Sequence, residues 1–146
     1  MLVIGLGNPD RGDDIAGILV ARALAEGGVN AIQHCGGTLD LIEIWEQAAE
    51  VIVVDAVFSG AVPGTLHVWN AQTTTLRRDF IGSSTHGFGL ADTIELARTL
   101  DRLPELIVYG IEAAQFIANT PPSPQILAGV ERAIDHIASH VRKLSS

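Results

Sequence analysis

The sequence predicts an α/β fold: one doubly wound, three-layer domain with a mostly parallel, five-stranded sheet and helices on both faces. Strand-like apolar runs alternate with amphipathic helical segments along the chain, which is typical of a parallel sheet. The run Val-Ile-Val-Val at residues 51–54 is typical of a strand covered on both faces. No linker, repeat or low-complexity segment interrupts residues 1–146, so we expect a single domain.

Each element follows from local composition. Short apolar runs bounded by glycine or polar residues predict five strands, at residues 2–6, 29–34, 51–56, 65–69 and 106–110. Apolar residues recurring every three or four positions predict four helices, at residues 14–25, 38–48, 88–100 and 124–144. Gly27 and Gly28 are expected to end the first helix, and Thr38 to cap the second.

Composition and charge narrow the class of protein. Hydrophobic residues make up 47% of the chain, which predicts an ordered core. The net charge of −8 argues against nucleic-acid binding, which relies on basic residues. The longest apolar runs have the length of strands, and Met1 leads directly into the first one, so we expect no membrane segment and a cytoplasmic location. The single cysteine, Cys35, permits no intramolecular disulfide.

A glycine-rich turn follows the first strand. Gly5 and Gly7 resemble the start of a dinucleotide-binding motif, but Asp10 occupies the position of its third glycine. Asp13 and Asp14 follow, where a nucleotide-binding fold would place a phosphate at the start of a helix. These negative charges repel a phosphate and attract a cation. The turn therefore predicts a carboxylate site.

Three candidate site residues follow different elements of the predicted sheet. Asp14 follows the first strand, Asp55 closes the central apolar run, and His86 lies in a polar loop at residues 82–87. The carboxyl ends of parallel strands meet at one edge, so we expect these side chains to converge. Two carboxylates and an imidazole suit a divalent metal. Structural alternatives remain open: Asp13 or Asp14 as a helix cap, Asp55 in a turn, and His86 in solvent.

Other residues are weaker candidates. Glu112 ends the last predicted strand and reaches the same edge, as a substrate contact or a supporting residue. His136 and His140 have the spacing of a two-histidine metal site, but no glutamate accompanies them as in zinc proteases, and a solvated helix face is favoured. Ser83 and Ser84 precede a histidine without a nucleophile-elbow motif, which argues against a catalytic triad.

Together these motifs resemble the hydrogenase maturation endopeptidases, which trim the C-terminus of the large subunit of nickel–iron hydrogenases. The resemblance rests on five segments in the family's order: residues 5–17, 36–38, 54–56, 85–90 and 110–112. It implies cleavage of one peptide bond in a nickel-loaded precursor. It also implies that Asp14, Asp55 and His86 are both the metal-contacting and the catalytic residues. The nickel would arrive with the precursor, so the isolated protein is expected to be metal-free.

Two alternatives come from other functional classes. Residues 6–9 also resemble the opening of bacterial peptidyl-tRNA hydrolases, but Asp-Asp-Ile-Ala stands where those enzymes have Thr-Arg-His-Asn. A nickel-binding maturation chaperone would use the same ligands without hydrolysis, and the sequence separates it poorly from a protease. The sequence also leaves open whether the metal or a carboxylate activates the water.

Two structural expectations complete the sequence analysis. The polar segment 82–89 is expected to be mobile without substrate, because it contains few apolar anchors. Phe58, Val62 and Phe88 lie in predicted loops or at a helix start beside the candidate ligands. At least two of them are expected to be exposed as a contact surface for the precursor.

Overall fold

The computed structural model describes residues 1–75 and 89–145. Its strands are β1 (Leu2–Leu6), β2 (Ala31–His34), β3 (Glu50–Val57), β4 (Leu66–Asn70) and β5 (Glu105–Glu112). A 3-10 turn (Gly12–Ile15) precedes four helices, α1 (Ala16–Glu26), α2 (Leu41–Trp45), α3 (Leu90–Thr99) and α4 (Pro124–Ser145). The five predicted strands are confirmed. Within the described ranges, no helix is long and apolar enough to cross a membrane.

The strands form one sheet in the order β2-β1-β3-β5-β4. The first four run parallel, and β4 pairs antiparallel with β5 at one edge. The chain first adds β2 on one side of β1 and then β3 on the other, so the direction of winding reverses between β1 and β3. In such sheets the crevice at this switch point, beyond the carboxyl ends of the strands, is the usual place for a site. The predicted α/β fold is confirmed.

Helices cover both faces of the sheet. Side chains of α2 and α3 pack with Val51 and Val53 on one face. Side chains of α1 and α4 pack with Ile52 and Val54 on the other. The continuous apolar run in β3 is therefore buried on both sides, because alternate residues of a strand point to opposite faces.

Two helix boundaries differ from the prediction. The first helix begins with the 3-10 turn, and α1 itself starts at Ala16. The second is shorter than predicted, since α2 covers only Leu41–Trp45. The prediction that Thr38 caps α2 is wrong: the Thr38 hydroxyl bonds with that of Thr93 in α3 at 2.7 Å. A tertiary contact between side chains has replaced the local cap.

Glycines allow α1 to lie directly against the sheet. A Cβ atom on Gly17 would lie 2.3 Å from main-chain oxygens of both β1 and β3, and one on Gly5 would lie 2.0 Å from the Gly17 oxygen. Gly7 has a φ of 154°, and a Cβ there would lie 2.0 Å from the Asp14 oxygen. Side chains at these positions would push the helix away from β1 and β3. The glycines therefore bring the turn that carries Asp14 against the central strands.

Candidate active site

Asp13 anchors the turn that carries Asp14. Its buried carboxylate accepts hydrogen bonds from the Ala114 N–H at 2.7 Å, the Ser123 N–H at 2.6 Å and the Ser123 hydroxyl at 2.8 Å. The Ser123 oxygen in turn accepts the Ile126 N–H at 3.1 Å, in the manner of an N-cap for α4. Asp13 thus ties the 3-10 turn to the connection between β5 and α4.

Asp14 lies at the start of the same helical region with a different environment. Only 1% of its surface is exposed. Its main chain is held in the turn, where its N–H bonds to the Arg11 oxygen at 3.0 Å and its oxygen accepts the Asn8 N–H at 3.2 Å. The N-cap positions of the 3-10 turn and of α1 are Arg11 and Ile15, so the helix-cap alternative for Asp13 or Asp14 is wrong.

Asp55 is the second buried carboxylate at the switch point. It lies near the end of β3, is 4% exposed, and accepts the N–H of Ala56 at 2.9 Å. Burial, and after it the negative charge of Asp14, raises the pKa of Asp55 well above its usual value, and the Ala56 bond opposes this only in part. The two aspartates therefore lie close enough for the charge of one to act on the other.

His86 and Phe88 lie outside the described residues, as does the predicted mobile segment up to residue 88. Within the part of the chain that is described, no group of three or more His, Cys, Asp or Glu side chains could hold a metal ion. The assignment of Asp14 and Asp55 as metal-contacting and catalytic residues stays a prediction. The same holds for the imidazole of His86.

Glu112 holds the connection between β3 and β4. Its buried carboxylate accepts the Ser59 N–H at 2.8 Å and the Ser59 hydroxyl at 2.5 Å, and it lies 3.0 Å from His67 Nε2. Its main-chain oxygen accepts the Gly64 N–H at 2.7 Å, and its N–H donates to the Thr65 oxygen at 2.9 Å. One residue therefore binds both ends of this loop.

His67 was not predicted as part of any site. In the sheet register, Gly110 lies between Asp55 and His67. The Trp69 ring stacks on the His67 ring, with centroids 5.3 Å apart, and a Cβ on Gly110 would lie 2.7 Å from Trp69. Trp69 thus covers the position between Asp55 and His67. The only sequence signal for His67 was a polar residue in an edge strand.

An apolar surface lies on the loop that follows Asp55. Phe58 is 53% exposed and Val62 is 75% exposed, which confirms that two of the three predicted apolar residues are exposed. The Phe58 ring lies against Phe116, with centroids 5.9 Å apart. We call Phe58 and Val62 the apolar surface.

The weaker histidine candidates have other surroundings. His136 lies on α4, and its Nδ1 is 2.7 Å from the hydroxyl of the buried Tyr109. His140 lines a cavity of about 250 Å³ with Glu50 and Glu105, which begin their strands. That cavity lies at the amino end of the parallel strands, opposite the switch-point crevice.

The fold and this site define a class: a doubly wound α/β protein with two buried, interacting carboxylates at its switch point. A family model described as hydrogenase maturation protease matches residues 19–141, and the chain belongs to that family. The protein is accordingly a peptidase of hydrogenase maturation. The matched range includes Asp55 and begins after Asp14.

Solved structures agree with this assignment. A NiFe hydrogenase maturation protease HycI from Thermococcus kodakarensis is 25% identical, with a TM-score of 0.75 over 94% of this chain and 89% of that one. The hydrogenase maturating endopeptidase HybD from E. coli is 22% identical, with a TM-score of 0.77 over 97% and 91%. The second likeness shows the fold alone. A comparison with curated protein sequences gives no match.

Proposed function

We propose that this protein is the endopeptidase that removes the C-terminal extension from the nickel-loaded large-subunit precursor of a nickel–iron hydrogenase, in the cytoplasm. The family supplies the class of reaction. The main support for the proposed nickel-loaded substrate is the pair of buried carboxylates, Asp14 and Asp55, at the switch-point crevice.

The carboxylate pair suits a divalent cation. Two ionised carboxylates that lie close together in a buried site destabilise each other, and a cation between them removes that repulsion. Carboxylate and imidazole ligands both suit first-row divalent metals. The nickel belongs to the substrate, and Asp14 and Asp55 would hold it together with His86. Its positive charge brings the precursor's active centre to the crevice.

Asp55 is the candidate general base. Burial and the charge of Asp14 raise the pKa of Asp55 in the metal-free protein, and a cation between the two carboxylates would lower it again, so that Asp55 would be ionised and able to accept a proton once the precursor's nickel is in place. It takes a proton from the attacking water, whose oxygen bonds to the carbonyl carbon of the scissile peptide. The proton passes to the leaving nitrogen as the peptide bond breaks. The products are a new carboxylate on the large subunit and a free amine on the released peptide.

The substrate's tail must pass beside Asp55. The apolar surface begins three residues after Asp55, at Phe58, and its exposure is the kind that marks an interaction site. We therefore place the apolar part of the precursor's C-terminal segment on this surface. Nucleic acid does not fit this arrangement, because the chain carries a net charge of −8.

The proposal is tested with the host's hydrogenase large-subunit precursors in nickel-loaded and nickel-free forms. Each is incubated with the purified protein, and its C-terminus is determined by mass spectrometry. Release of a peptide from the loaded form only is the expected result. Stable binding of the loaded form without release would assign the chaperone alternative instead. If no precursor binds or is cleaved, the proposed function is wrong.

A further inference from the structure

We infer that Glu112 is a positioning residue for substrate binding: it holds the β3–β4 loop so that Phe58 presents its ring to the precursor's C-terminal segment beside Asp55. The inference rests on the proposed function and assigns a role to a buried acid that the hydrolytic step does not use. Glu112 itself touches neither of the two site aspartates in the hydrogen bonds of its carboxylate, which go to Ser59 and His67.

The contacts of Glu112 are concentrated on one loop. Its carboxylate accepts hydrogen bonds from the N–H and the hydroxyl of Ser59 at one end of the loop. Its main chain bonds to Gly64 and Thr65 at the other end of the loop. Only 1% of the residue is exposed. A buried carboxylate is costly unless hydrogen bonds satisfy it, and here the loop and His67 supply those bonds. The loop conformation and the burial of Glu112 therefore depend on each other.

Phe58 is fixed on both sides by this arrangement. The residue before it, Val57, ends β3, and its oxygen accepts the Ala113 N–H at 2.8 Å. The residue after it, Ser59, is bound by Glu112. The backbone of Phe58 is thus held while more than half of its surface is exposed. The ring contacts Phe116 on one side and leaves the rest of its surface open to a partner.

A fixed, exposed aromatic residue is well suited to binding. Aromatic side chains are common among the residues that dominate binding energy, and ordering a loop before binding lowers the entropy lost in the complex. Phe58 follows the last residue of β3, so it lies at the same carboxyl edge of the sheet as Asp55. The occupant we assign to it is an apolar side chain of the precursor's C-terminal segment.

The experiment measures the Kd for the nickel-loaded precursor with Asp14 and Asp55 unchanged in every variant, by rapid mixing that records binding before the precursor is cleaved. Phe58→Ala and Glu112→Ala are each expected to raise the Kd about 10-fold. The double variant is expected to bind no more weakly than the weaker single variant, because Glu112 acts through Phe58. Glu112→Gln retains an acceptor for Ser59 and should restore most of the binding. Leu100→Ala, an exposed apolar residue at the end of α3, is the matched control and should bind normally.

A purely structural role for Glu112 predicts different results. Increases that multiply in the double variant, or wild-type binding by a folded Glu112→Ala protein, would overturn the inference. Amide hydrogen exchange at Ser59 should be faster in Glu112→Ala and unchanged in Phe58→Ala. If Glu112→Ala does not fold, Ser59→Ala removes one of the bonds to Glu112 and must show the same dependence on Phe58.

The outcome is separable from that of the proposed function. Cleavage by the unmodified protein tests the protease activity, whereas the Kd values test the role of Glu112. If the protein binds the loaded precursor without cleaving it, the proposed protease activity is wrong. The Kd of the double variant would still test the role of Glu112. Absence of any binding would contradict both.

Discussion

At the scale of single residues, the adjacent aspartates Asp13 and Asp14 have different surroundings. Asp13 receives hydrogen bonds from the segment before α4 and holds the turn in place. Asp14 instead acts electrostatically on Asp55. Asp13 thus positions Asp14, a residue of the candidate site. We expect substitution of Asp13 to lower mainly stability and substitution of Asp14 to lower mainly activity.

Asp13→Ala is expected to lower the free energy of unfolding by about 2–4 kcal/mol, because it leaves several buried N–H and O–H donors without their acceptor. Chemical denaturation measures the effect. The exposed Asp10→Ala, three residues earlier, is the control and should change stability by less than about 0.5 kcal/mol. Equal effects at both positions would show that Asp13 is not an anchor.

Asp55→Asn is expected to stabilise the free protein, by about 0.5–2 kcal/mol at neutral pH. The pKa of Asp55 is raised in the folded state, so the folded protein keeps a proton that the unfolded chain has released. The free energy of unfolding therefore falls as pH increases from the usual pKa of 3.8 up to the raised value. The advantage of Asp55→Asn should grow with pH over this interval. Denaturation at several pH values measures it, and a variant less stable than the wild type at pH 7 would contradict the burial argument.

At the scale of elements, the close contact between α1 and the sheet determines where Asp14 lies. A Cβ atom on Gly17 would lie 2.3 Å from main-chain oxygens of β1 and β3, so any side chain there would force the helix outward. The loop between β3 and β4 has the corresponding role for Phe58. These two contacts bring the chain after β1 and the chain after β3 to the same crevice.

Gly17→Ala is expected to destabilise the protein by about 3 kcal/mol or more, because its Cβ would lie 2.3 Å from backbone atoms that cannot move aside cheaply. Gly27→Ala at the end of α1 is the matched control, since its Cβ would meet only ordinary contacts at 3.5 Å. Thermal unfolding of both variants tests this. Similar melting temperatures would refute the close-contact argument.

At the scale of the whole molecule, the sequence predicted the five strands and the two-sided helix layers, because apolar periodicity reports burial directly. It also predicted that Asp14, Asp55 and His86 converge; the effect of the Asp14 charge on Asp55 agrees with this for the two aspartates, and His86 lies outside the described residues. It failed at Thr38, whose hydroxyl bonds with a residue 55 positions away. The sequence did not show that Asp13 is structural and Asp14 is not. It also did not predict the hydrogen bonds of Glu112 with His67 and Ser59. Those depend on side-chain contacts between distant segments.

The central claim is that Asp14 and Asp55 hold the precursor's nickel and cleave the adjoining chain. The most direct measurement is the single-turnover rate of C-terminal cleavage of the nickel-loaded precursor, followed by intact-mass spectrometry. Asp14→Asn and Asp55→Asn should each lower the rate at least about 100-fold while remaining folded, and Asp10→Asn should cleave at the wild-type rate. Wild-type rates in either Asp14→Asn or Asp55→Asn, or equal cleavage of the nickel-free precursor, would contradict the claim.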